Sequence, residues 1–208
     1  LPLMPVQSTS EPLSSFYIRN YAQQLGLETP SIDLKVCWLV PTTDDQSAGR
    51  ELLESASIDP DAFIVILHPG SGGRHKCWHP DNFLHLAGVF TARGLVPVFL
   101  FGPAEQERFA PALQEQFRKT APVFNNLSLL ETFQLLSQGD LFVGNDSGIS
   151  HMAGAMGKKT IPVFGPTDSS LYRPLGPAVT VFHAQPKGFD AFCQEDVVRI
   201  FEGLGEMH

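Results

Sequence analysis

Basic side chains are scarce in this sequence. It holds 14 lysines and arginines against 22 aspartates and glutamates, a net charge of −8. That balance excludes a protein that binds nucleic acid through a broad basic surface. It leaves room for a local pocket that holds an anion. Paired cysteines are missing too. Cys37, Cys77 and Cys193 stand far apart, with no C-x-x-C spacing. No disulfide framework follows, and this usage fits a reducing cytoplasm. No apolar run approaches the roughly 18 residues that a membrane-spanning helix needs. There is no basic-then-apolar leader, and the first residue is Leu1 rather than Met. The expectation is an amino terminus that is processed, or cut from a longer protein.

What remains is enough for one full α/β domain. The chain has 208 residues, 43% of them hydrophobic and 17% charged, so a real core is expected. Residues 1–15 are rich in Pro and Ser and read as a lead-in. A helix is expected over 16–26, a short strand over 36–40, and a helix over 44–56 capped by Asp44 or Asp45. Then a regular alternation begins. Apolar runs of strand length stand at 63–67, 95–101, 122–124, 140–144, 160–164 and 179–182. Helix-length stretches lie at 81–92, 104–119, 129–138, 148–156 and 194–204. The runs are apolar throughout rather than alternating, which suits strands covered on both faces. Strand, helix, strand, repeated, predicts right-handed crossovers and a parallel sheet. The expected organisation is a lead-in and entry segment (1–59), a Rossmann-like three-layer domain (60–185) and a carboxy-terminal helix (186–208). In such sheets ligands sit beyond the carboxyl ends of the strands.

The loops at those ends carry the chemistry. The first, after 63–67, reads His68-Pro69-Gly70-Ser71-Gly72-Gly73-Arg74-His75-Lys76-Cys77-Trp78. Its glycines allow a tight path with bare N–H groups facing outward. Ser71 adds a hydroxyl, Lys76 a cation, and Arg74 offers a second. Asp81 is expected to cap the next helix. The set is a plausible diphosphate cradle, and a simple turn explains it equally well. It is not a Walker A loop, because Cys77 follows Lys76 where Ser or Thr is required.

The loop after 140–144 reads Gly144-Asn145-Asp146-Ser147-Gly148-Ile149-Ser150-His151. A helix starting near Ser147 presents free N–H groups and a partial positive charge to an anion. His151 returns to the same side one turn later. A serine-hydrolase triad is disfavoured, since Ser147 lies three residues after Gly144 and the nucleophile elbow is G-x-S-x-G. After 95–101, Glu105 or Glu107 offers a carboxylate suited to ribose hydroxyls, or merely a helix-start charge. Gly165-Pro166-Thr167-Asp168 reads as a turn and cap. A metal site at His75, Cys77 and His79 has permissive spacing but no fourth ligand nearby. No partner is evident for His68, His85 or His183, and Trp78, Phe83 and Phe90 read as helix–sheet packing.

In order, HPGSGG…K-x-W, FGPAEQE, Leu127-Ser128-Leu129, VGNDSGISHMAGAMG and VFGPTD resemble the carboxy-terminal domain of glycosyltransferase family 9, the ADP-heptose:lipopolysaccharide heptosyltransferases. The likeness covers about 60–185, and 16–60 looks like the family's interdomain helix and entry segment. One departure is visible: the family's K-x-W-P is here Lys76-Cys77-Trp78-His79-Pro80. The resemblance implies the second half of a GT-B fold, and an inverting, metal-independent transfer with no cofactor beyond the ADP-sugar substrate. It implies that Ser71, Gly72 and Lys76 meet the donor's phosphates or sugar, with Lys76 stabilising the leaving group. Glu105 would hold the ribose and the backbone near Leu127 the adenine. Ser147 and Gly148 would bind the diphosphate; Asp146 and His151 would meet the sugar or its phosphate. The acceptor, a lipopolysaccharide core, would bind an amino-terminal domain with no counterpart in this sequence, and the general base would lie there too. The implied setting is the cytoplasm, with peripheral contact at the inner membrane. The alternative is a non-catalytic module that binds a nucleotide or sugar phosphate in the same cradle.

Overall fold

A computed structural model describes residues 12–28 and 36–205. Most of the Pro- and Ser-rich lead-in lies outside the described residues. Six strands form one parallel sheet: β1 (Ile64–His68), β2 (Val96–Phe101), β3 (Val123–Asn125), β4 (Leu141–Asn145), β5 (Lys159–Phe164) and β6 (Phe182–His183). Their order is β3-β2-β1-β4-β5-β6, and every pairing is parallel. This is the doubly wound order, and the winding reverses between β1 and β4. The expected Rossmann-like three-layer α/β architecture is therefore present. β6 is shorter than the run 179–182 implies; Val179 makes only an isolated bridge to Thr160.

Alternate strand residues supply the two cores, as the two-residue period of a strand requires. Val65, Leu67, Phe99 and Val143 face one side, with Phe83 and Phe90 of α3 (Pro80–Thr91), Phe117 of α5 (Pro111–Thr120), and Val197 and Ile200 of α10 (Gln194–Gly205). Ile64, Ile66, Val98 and Phe142 face the other, with Leu53 of α2 (Thr43–Ser55), Leu135 and Leu136 of α6 (Leu129–Gln138), and Ala153 of α7 (Gly148–Ala155). Trp78, Phe83 and Phe90 are fully buried packing residues. α1 (Leu13–Gln24) precedes these layers, and Gly26 leaves it at φ +65°.

Several local expectations are corrected. Residues 36–40 are not a strand. Val36, Trp38, Leu39 and Val40 are exposed, and the Trp38 and Leu39 N–H groups donate to the Ala155 carbonyl at the end of α7. A β-prone pentapeptide needs a strand edge to complete a ladder, and here it meets a helix end instead. The single helix expected over 104–119 is two, α4 (Pro103–Arg108) and α5. Pro111 drives Ala110 out of the helical region, to ψ 149°. Thr42, not Asp44 or Asp45, caps α2, with Asp45 closing a capping box. His79, not Asp81, caps α3, and Pro80 takes the first helical position. That shift accommodates the displaced proline and leaves Lys76 on the preceding loop.

Candidate functional site

The loops after β1 and β4 meet over the switch point. Their strands are in register there, His68 opposite Gly144. Gly144 keeps the strands close: a methyl group on it would stand 3.0 Å from the His68 carbonyl oxygen of β1. Asn145 then ties the loops together. Its Oδ1 accepts from the Trp78 N–H at 2.9 Å, and its Nδ2 donates to the Pro69 carbonyl at 2.7 Å. A single 3₁₀ turn, Arg74–Lys76, aims the Lys76 stem across the gap. Lys76 Nζ lies 3.0 Å from Asp146 Oδ2. The Asp146 side chain is only 7% exposed and that of Lys76 27%, so water screens this pair weakly.

Ser71 is buried, and its Oγ donates to the Asp146 carbonyl at 2.6 Å. Its hydroxyl therefore fixes the loop in this structure. Ser147 caps α7, accepting from the Ser150 N–H. The N–H groups of Gly148 and Ile149 have no acceptor within the helix, as at any helix start. A Cβ on Gly148 or on Gly72 would meet nothing within 4 Å. The space before both backbones is open to a ligand.

His151 is half-buried, one helical turn along α7. Burial lowers its pKa, while the Asp146 charge and the Tyr172 backbone oppose that. Tyr172 ends α8 (Ser169–Tyr172), which Asp168 caps as expected. Its ring centroid lies 5.2 Å from Lys76 Nζ, within cation–π range. Lys76, Asp146, Ser147, Gly148 and His151 thus belong to one neighbourhood, with Ser71 beneath it.

Glu105 and Leu127 sit farther along the sheet edge. Glu105 is 3% exposed and accepts from the Gly102 N–H at 2.6 Å. A methyl group on Gly70 would overlap its carboxylate, so a side chain there would displace Glu105 from this position. Leu127 lines a cleft of about 360 Å³ with Pro103, Gln106, Glu107 and Asn126. Lys76, Asp146 and His151 do not line it.

Arg108 escaped the sequence reading. Its guanidinium donates to the Ser71 carbonyl at 2.7 Å and the Gly72 carbonyl at 3.0 Å, clamping the glycine-rich loop. No local pattern announces a contact across 36 or 37 residues. Tyr172 and Asn145 were missed for the same reason. The histidines without evident partners have them. His68 Nδ1 lies 2.9 Å from the Leu100 carbonyl oxygen, which requires the proton on Nδ1. His85 stacks on Phe192, and His183 Nε2 meets Ser169 Oγ. His79 Nδ1 accepts from the Asp81 N–H, and the Cys77 thiol faces the Gly73 carbonyl. Among the described residues, no three His, Cys, Asp or Glu side chains gather as metal ligands.

A family profile, glycosyltransferase family 9 (heptosyltransferase), matches residues 17–198. The chain belongs to glycosyltransferase family 9. Lipopolysaccharide heptosyltransferase 1 of Escherichia coli (strain K12) is 26% identical over 185 residues, covering 81% of this chain and 54% of that protein. Lipooligosaccharide heptosyltransferase 2 of Campylobacter jejuni (serotype O:2) is 33% identical over 108 residues, covering 50% of this chain and 34% of that protein. A family 9 glycosyl transferase structure from Veillonella parvula superimposes with a TM-score of 0.76 at 21% identity, covering 97% of this chain and 62% of that one. The E. coli heptosyltransferase WaaC, solved with ADP, gives 0.64 at 22% identity, covering 88% and 53%. This family 9 chain thus spans about half the length of the E. coli relative it matches. Among its described residues, no helix is long and apolar enough to cross a membrane.

Two histidines of this family 9 chain give it a pH response near neutrality. Burial lowers the pKa of both His68 and His151 below the ordinary 6.5. The unfolded chain therefore binds protons that the folded chain refuses. Their contribution to stability is full above 6.5 and is lost as pH falls through the lowered folded values. Urea midpoints are expected to fall between about pH 7 and pH 5, and a His68→Gln/His151→Gln variant should show a flatter slope there.

Proposed function

We propose that this chain is the donor-binding part of a heptosyltransferase, which moves heptose from an ADP-sugar to a lipopolysaccharide core acceptor. The observation that carries the reading is the Lys76–Asp146 pair, 3.0 Å apart, beside the open start of α7. Transfer of a sugar builds negative charge on the departing diphosphate. Lys76 and the Gly148 and Ile149 N–H groups are preorganised to meet that charge. Ser71, Gly72 and Ser147 shape the cradle, and Asp146 and His151 face the sugar end. Glu105 takes the ribose and the Leu127 cleft the adenine. The fixed cation and helix start supply the leaving-group stabilisation, so the proposed transfer is metal-independent, with inversion at the sugar carbon. The acceptor and the general base belong to a further domain of the active enzyme. By itself the 208-residue chain is expected to bind donor nucleotide without turning over. The proposed setting is the cytoplasm, with peripheral contact at the inner membrane face.

Calorimetric titration with ADP, UDP and GDP tests this reading. A clear preference for ADP is expected. Equal affinity for all three, or no nucleotide binding, would count against it, as would robust sugar transfer by the chain alone.

A further inference from the structure

A second cavity, of about 610 Å³, lies between the glycine-rich loop, the α4–α5 corner and α9 (Lys187–Asp190). Its lining excludes Lys76, Asp146, Ser147 and His151. Arg74, His75 and Arg108 contribute polar walls, Phe109 and Phe189 apolar ones, and Asp190 stands on the rim. The volume falls in the usual small-molecule range of about 300–1,000 Å³.

The charge there is unbalanced. Arg108 spends two N–H groups on neutral carbonyls, so its positive charge has no carboxylate partner among the described ion pairs. Among the described residues the Arg74 guanidinium makes no hydrogen bond or ion pair; only its backbone carbonyl is engaged, by the Cys77 N–H. Burial pushes the Cys77 thiol up, more than the Arg108 charge pulls it down, so the cavity wall there stays neutral at physiological pH. Two arginines and one aspartate line the cavity, which leaves its lining one net positive charge, while the Glu105 charge reaches Cys77 from behind the wall. The half-buried Phe109 and Phe189 rings beside it suit a flat apolar body.

We propose that this cavity is a second ligand site, for a small anion with a flat apolar body such as an aryl phosphate, held by Arg74 and Arg108 against Phe109 and Phe189. Asp190 accepts from a hydroxyl or amine on the far end of such a ligand. The site shares a wall with the proposed donor cradle, because Arg108 holds the Ser71 and Gly72 carbonyls. It does not depend on the donor reading.

Phenyl phosphate is the probe, titrated into the 208-residue chain by calorimetry and amide NMR. Saturable binding is expected, with shifts around Arg74 and Phe109, and it should persist at saturating ADP. Arg74→Gln should weaken it about 10-fold or more, the scale of a charge-assisted hydrogen bond. His75→Gln gives a second variant at an exposed position, with a smaller loss expected. Lys76→Ala should leave phenyl phosphate binding unchanged while weakening ADP. Failure to saturate, indifference to Arg74→Gln, or displacement by ADP would each overturn the proposal. Inorganic phosphate binding as tightly as phenyl phosphate would overturn the aromatic half of it.

Discussion

Replacing Lys76 with Ala is expected to weaken ADP binding about 10- to 100-fold, the range for losing a hydrogen bond to a charged group. Two effects add. The variant loses the cation proposed to meet the diphosphate. It also leaves the Asp146 carboxylate, 7% exposed, without its ion-pair partner beside the start of α7. That unpaired charge repels the phosphates, so the loss should reach the upper part of the range. Asp146→Asn separates the two effects. It removes the repulsion and frees Lys76, so it should lose less affinity than Lys76→Ala. Calorimetry at low ionic strength is the suitable measurement, since salt screens the partly exposed lysine. A Lys76→Ala chain that binds ADP as tightly as the parent would remove Lys76 from the donor site.

Trp78→Ala should cost about 3–5 kcal/mol of folding stability, the scale for truncating a buried aromatic. Trp78 is fully buried, with its ring edge-on to Phe83 at 5.1 Å between centroids. Its Nε1–H donates to Asp196 Oδ2 at 3.3 Å, and Asp196 is fully buried. Asp196 also accepts from the Gln185 N–H and reaches Arg199 Nη1 at 3.5 Å. Truncation therefore opens a cavity and strips one donor from a buried carboxylate. Trp78→Phe keeps most of the apolar volume and loses mainly that hydrogen bond, so about 1–2 kcal/mol is expected. Urea unfolding followed by circular dichroism measures both. Equal losses in the two variants would mean that the bond to Asp196, not the volume, dominates. The Asn145 clamp on the Lys76 loop holds the Trp78 backbone N–H, which alanine keeps, so ADP binding should change little beside the loss of stability.

The sheet was legible because its strands carry their own signal. Val65, Leu67 and Val143 alternate with Ile64, Ile66 and Phe142, and both sets are buried. Covering helices on both faces leave no polar positions, so each strand reads as one apolar run. The loop residues were legible for a related reason. In a parallel sheet the carboxyl ends of the strands are where backbone N–H groups and helix starts converge. Small polar residues such as Asp146 and Ser147 after an apolar strand mark that edge directly.

What failed was mostly local. The run 36–40 has the composition of a strand but no neighbour to pair with, and composition does not encode neighbours. The break before Pro111 was present in the sequence as a proline, and only its consequence for Ala110 was overlooked. Thr42 and His79 displaced the expected aspartate caps because a cap depends on where the first helical residue falls, and that boundary is set by packing.

By itself, the sequence determined a parallel α/β domain, the polar loops at the carboxyl ends of its strands, and a family resemblance that the profile match then established. Only the tertiary structure decided how those loops meet. Lys76 finds Asp146 across 70 residues, Asn145 bridges to Pro69 and Trp78, and Arg108 clamps the loop from another helix. The physical reason is the range of each signal. Periodicity and turn chemistry act over a few neighbouring residues, whereas an ion pair or a side-chain clamp between distant loops exists only after the sheet has fixed their separation.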